Sequence, residues 1–68
     1  MTPYYIVYND RAVRITTIEG LLIITTTTDR VLAGKFEGVT AAALQKGLPG
    51  SVVLDQKQFA NFKLNPYI

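Results

Sequence analysis

The chain has 68 residues, 49% of them apolar and 18% charged, with a formal net charge of +2. That length holds a single small domain, 1–68, and leaves no room for a second. With neither cysteine nor histidine present, disulfides, Cys/His zinc sites, haem ligation and iron–sulfur clusters are excluded, and no cofactor is expected.

A domain of this size hides only about 60% of the surface its unfolded chain exposes. Small domains compensate with disulfides, a structural metal or oligomerisation. Here that leaves association or an unusually efficient core. The charged fraction is below the roughly 25% of an average soluble domain, so an apolar surface serving a protein–protein interface is expected. The competing reading is a well-packed monomer with ordinary exposed apolar area. The basic residues are scattered from Arg11 to Lys63 without a block, which does not support a polybasic tail. Apolar runs such as Leu21–Ile24 are far too short to span a bilayer. The start, Met1-Thr2-Pro3-Tyr4-Tyr5, lacks the basic and apolar regions of a signal peptide. The expected setting is the cytoplasm or the inside of a particle such as a virion.

In chain order, Tyr4–Tyr8 is a run of β-formers closed by the turn dipeptide Asn9-Asp10. Ala12–Ile18 follows, with Val13, Ile15 and Thr17 on one face and Arg14, Thr16 and Ile18 on the other. These two runs form a first hairpin. Glu19-Gly20 breaks the pattern. Leu21–Thr28 is the next strand, stiffened by four consecutive threonines. Asp29-Arg30 reads as a turn and Val31–Glu37 as a strand, with Gly34 marking a bulge or a close backbone approach.

Only the stretch 40–46 has helical grammar: Thr40 as cap, Ala and Leu inside, Lys46 near the end and Gly47 as stop. It reads as one short helical turn or, alternatively, an irregular hairpin arm. Leu48-Pro49-Gly50 punctuates the chain. Ser51–Leu54 and Gln58–Leu64 read as a last hairpin across Asp55-Gln56-Lys57, before a tail, Asn65-Pro66-Tyr67-Ile68. The expected fold is all-β or nearly so: a small antiparallel barrel or two-layer sheet of five or six short strands.

An enzyme is not expected. Ser51 is the only serine and no base motif surrounds it. Asp10, Glu19, Asp29, Glu37 and Asp55 are isolated, mostly at turns, which fits solvated turn residues rather than an acid/base pair. No calcium loop or phosphate-cradling glycine loop is present, so no metal site is expected.

Nucleic-acid binding is the alternative. Small barrels carry aromatics on a basic face, and Arg14, Lys35 and Phe36 are the candidates. The Lys35-Phe36 pair is similar to the basic-aromatic strands of cold-shock domains, though that family's denser Gly and Phe repeat is absent. The bland reading places the phenylalanines in the core and the lysines at solvated edges. A net charge near neutral also weakens phosphate binding.

Three features favour a protein-binding role. Leu21–Thr28 carries no charge and no proline, so as an exposed edge it invites pairing. Phe59 and Phe62 are expected on opposite faces of one strand, as are Tyr4 and Tyr5, and a small sheet cannot bury both faces alone. The tail ends on Tyr67 and Ile68, large apolar residues that are folded back or docked on another chain.

The runs Gly20–Thr25, Leu32–Glu37 and Gly50–Phe59 are similar to the strand pattern of small lipocalin-like β domains, in which an Ile-x-Gly-x-Phe strand precedes a hairpin ending Gly-x-Phe. The chain departs from it at Gln58, where the second glycine would stand. The resemblance implies a β domain and transfers no functional residue.

The function expected from the sequence is therefore a non-catalytic structural or accessory subunit binding other chains, or copies of itself, within a larger assembly. Tyr4, Tyr5, Tyr8, Phe62, Tyr67 and Ile68 are its expected contacts. A small inhibitor docking on an enzyme by its edge strand is a further alternative.

Overall fold

Two turns set the first half of the molecule. In the computed structural model, which describes residues 3–65, Asn9 and Asp10 have φ of 53° and 60°, and Glu19 and Gly20 have 52° and 80°. Positive φ at both central residues of a two-residue loop is the type I′ geometry, whose twist matches that of the flanking strands. The turns join β1 (Tyr4–Tyr8), β2 (Arg11–Ile18) and β3 (Leu21–Thr27) into an antiparallel meander. The last strand, β4 (Val52–Asp55), pairs antiparallel with the other side of β1. The sheet therefore has the order β3-β2-β1-β4, with β3 and β4 as its edges.

Two short helices clamp the β1–β4 side. Helix α1 (Gly38–Gly47) belongs to the crossover that carries the chain from β3 to the opposite edge. Its Ala41 is fully buried, a side chain small enough to bring the helix close to the sheet. There it covers Ile6 and Val13, joined by the partly buried Tyr8, Phe36, Leu44, Leu48 and Val53. Helix α2 (Gln56–Asn61) lies on the other face. It buries Phe59 against Tyr5, Val7, Ala12 and Ala33, with Leu54, Phe62 and Leu64 at the margin. Each fully buried aliphatic side chain of this kind contributes about 1.5–3 kcal/mol relative to exposure.

The molecule is mostly β, as composition and strand rhythm indicate, but among the described residues the sheet is open and has four strands. Two segments expected to be strands are not. Val31–Glu37 is a loop. Asp29 accepts a bond at Oδ1 from the Val31 N–H, and the Leu32 and Ala33 N–H groups turn back to the Asp29 and Arg30 carbonyls. Phe36 pairs with the sheet as an isolated bridge to Tyr4, and the Gly34 N–H bonds the Val13 carbonyl of β2.

Gln58–Leu64 begins inside α2. Asp55 caps that helix, accepting from the Gln58 N–H, while the Gln58 side chain accepts from the Asp55 N–H. This reciprocal capping box satisfies two donors that a helix start otherwise leaves open. Phe59 and Phe62 consequently join one cluster rather than opposite faces of a strand. The lipocalin-like pattern is not realised, because Leu32–Glu37 folds as a loop and Gly50–Phe59 passes from β4 into α2. Helix α1 also starts earlier than expected, with Glu37 rather than Thr40 in the capping position.

Gly34 is at a close approach. A Cβ there would sit 2.6 Å from Cζ of Phe36 and 3.1 Å from the Val13 carbonyl oxygen, which accepts from the Gly34 N–H at 3.0 Å. Glycine is required so that the loop can lie on the end of β2 and hold Phe36 in place.

Candidate functional site: an exposed, uncharged edge strand

The helices pack chiefly on β1 and β4, so burial decays along the β2–β3 hairpin. Ala12 and Val13 are buried, whereas Ile18, Leu21 and Leu22 are 55%, 68% and 76% exposed and Ile24 is about half exposed. The pleat places Val13, Ile15, Leu22, Ile24 and Thr26 on the α1 side of the sheet and Ala12, Arg14, Ile18, Leu21 and Ile23 on the α2 side. Aliphatic side chains thus stand in solvent on both faces of the hairpin's far end.

The backbone polarity of β3 follows from its turn. Ile18 and Leu21 flank the Glu19-Gly20 loop, so the Leu21 N–H closes the turn toward the Ile18 carbonyl. Antiparallel ladders alternate. Leu21, Ile23, Thr25 and Thr27 therefore direct their N–H and C=O groups at β2, and Leu22, Ile24 and Thr26 direct theirs away from the sheet. The seven-residue strand offers that row without a charge or a proline, the features proteins use to blunt an edge. By contrast, β4 is four residues long and ends in the charged cap Asp55.

The residues expected as partner contacts are dispersed. Tyr4 is 36% exposed beside Gly38 of α1. Tyr5 is in the core, its ring stacked on Phe59 at 4.2 Å and 6°. Tyr8 and Phe62 are half-buried against opposite faces of the sheet. Tyr67 and Ile68 lie outside the described residues. Of the nucleic-acid candidates, Phe36 supports the cluster under α1 and Lys35 is exposed beside it, while Arg14 stands on the α2 side of β2. The three do not form one platform. Arg30 is likewise engaged internally, donating to the Phe59 carbonyl and standing 5.2 Å from the Phe59 ring centroid.

Sequence reasoning singled out Leu21–Thr28 but named none of its residues as contacts. The signal was there, in a charge-free β run next to a tight turn, and only the strand order shows that this run is an edge. Among the described residues no three acidic side chains lie close enough together to hold a metal ion, and no helix is long and apolar enough to cross a membrane. Compared with known protein families, curated proteins and solved structures, the chain matches none of them.

Proposed function

We propose that the chain is a non-catalytic protein-binding subunit that joins a larger assembly by adding a strand to the open edge of β3. The observation that carries this reading is the exposed row of Leu22, Ile24 and Thr26 in a strand that has no charged residue or proline of its own, with Arg11 of β2 reaching it at the Thr26 hydroxyl. In strand addition, main-chain hydrogen bonds supply affinity and alternate side chains supply specificity. The exposed Leu22 and Ile24 would provide the latter. An inhibitor docking on an enzyme would use the same edge, so that alternative differs in partner rather than in surface.

The test is site-specific crosslinking in the source cells. Leu22 replaced by a photo-crosslinking residue should capture a protein chain, and the same replacement at the exposed Lys57 on α2 should not. Equal yields at the two positions would refute the assignment of the edge.

A further inference from the structure

The ladder between β1 and β2 is interrupted, and the interruption divides the sheet. β1 and β2 pair at Val7–Ala12 and Tyr8–Arg11, whereas β2 and β3 pair along their length, from Ala12–Thr27 to Ile18–Leu21. Tyr8 and Arg11 flank a two-residue turn, so the alternation of an unbroken ladder would next join Ile6 to Val13 and Tyr4 to Ile15. The loop intervenes at both places. The Val13 carbonyl accepts from the Gly34 N–H at 3.0 Å, and Tyr4 exchanges two bonds of 2.9 Å with Phe36. Residues 34–36 are thus wedged between the strands, and β2 parts from β1 at Val13.

Beyond this fork the hairpin stands alone. The β2 residues there whose N–H and C=O groups turn away from β3 are Ile15 and Thr17, and no described strand pairs with them. Leu22 and Ile24 present the open edge on the far side. The ribbon therefore has two strands and two open edges, and Thr17, Ile18, Leu21, Leu22, Ile24 and Thr25 are exposed. Its base is held, because Ala12, Val13 and Ala33 are buried and the Arg11 Nε–H donates to the Thr26 hydroxyl across the two strands.

We propose that residues 14–25 form an arm that opens and re-forms as one unit while the core beneath it stays folded, with the fork at Val13 as its root. A two-stranded ribbon is marginally stable in water by itself, because it gains too little burial to offset the ordering of its backbone. The burial that stabilises this fold lies below the fork, in the clusters under α1 and α2, and neither cluster includes any residue from 14 to 25. Opening the arm gives up its cross-strand bonds and the half-buried Ile15, Thr16 and Ile23, and leaves both clusters whole. The inference goes beyond strand docking and stands without it, since the arm opens in the unbound chain. On the docking reading, a third strand added at β3 also holds the arm closed, so binding and arm order are coupled.

Native-state amide exchange of the unbound chain is the test. Arg14, Thr16, Leu21 and Ile23 bond across the arm, while Tyr5 and Val7 bond β4. Relative to their intrinsic rates, the arm amides should be protected but exchange at least about 30-fold faster than the two core amides, and should respond little to low urea, as a local opening exposes little surface. Ile23→Pro removes a ladder bond in the middle of the arm. It should abolish protection at Arg14, Thr16 and Leu21 and leave Tyr5 and Val7 protected, whereas Val7→Pro should unfold the whole chain.

Equal protection and equal urea dependence in arm and core would overturn the proposal, and so would an Ile23→Pro chain with no protected core. A chain whose arm proves rigid but which still crosslinks a protein through Leu22 would remove this inference and leave strand docking standing. An arm that opens in a chain that captures nothing would do the reverse.

Discussion

Phe59 is the residue on which the α2 side of the molecule depends, and its removal tests that packing quantitatively. The side chain is 5% exposed and lies flat on the Tyr5 ring beneath the Arg30 guanidinium. Phe59→Ala removes a buried aromatic ring from this cluster, which costs about 3–5 kcal/mol. A domain of this length has a total stability of about 3–10 kcal/mol, so between a third and all of it is lost. Phe59→Leu keeps most of the apolar volume and loses mainly the ring stacking, about 0.5–1.5 kcal/mol, together with some misfit. Urea unfolding followed by far-ultraviolet circular dichroism at 25 °C reads both. Phe59→Ala should be largely unfolded or have a midpoint near zero denaturant, and Phe59→Leu should unfold cooperatively at a reduced midpoint. A loss below about 1 kcal/mol for Phe59→Ala would show that α2 does not pack as described and that the segment is dispensable to the core.

Three further substitutions probe separate devices. Asp55→Ala deletes the acceptor half of the capping box and should cost about 0.5–2 kcal/mol of unfolding free energy; an unchanged urea midpoint would contradict the cap. Gly34→Ala drives a methyl group into the Phe36 ring and should cost about 1–3 kcal/mol. Gly34→Ala combined with Phe36→Leu should lose less than the sum of the two single changes, and strict additivity would argue against the contact. Ile24→Lys should leave monomer stability within about 1 kcal/mol, as expected of an exposed edge position, so that any loss of association is not a loss of fold; thermal melting of the dilute chain checks this.

The parts of the fold legible in the sequence were those fixed by local chemistry. Asn9-Asp10 and Glu19-Gly20 supply residues tolerant of positive φ between β-forming runs; the first became the expected hairpin turn, and the second, read as a break between strands, proved to be a hairpin turn as well. The division of Val13 and Ile15 from Arg14 and Thr16 followed from the pleat alone. The segments misread were those where β propensity competes with a short-range polar bond. Val31, Leu32 and Ala33 look like strand, but the Asp29 carboxylate takes the Val31 N–H and curls the chain into a turn. Gln58, Phe59 and Phe62 look like strand too, yet Asp55 followed three residues later by Gln58 is a capping-box pattern, and the Phe59–Phe62 spacing suits one helical face. That signal was readable. The edge position of β3 was not, because it depends on where the crossover through α1 delivers β4, a tertiary fact carried by no local pattern. The uncharged character of the strand was legible; its exposure was not.

The most direct measurement is residue-resolved amide hydrogen exchange along β3 in the assembled form and in dilute Ile24→Lys. Leu21, Ile23 and Thr25, bonded to β2, should be protected in both. The Leu22, Ile24 and Thr26 amides should be protected only in the assembled form and exchange freely in the variant. Protection of all six amides in the dilute variant, or free exchange of Leu22, Ile24 and Thr26 in the assembled form, would contradict the claim that this edge is where the chain joins its partner.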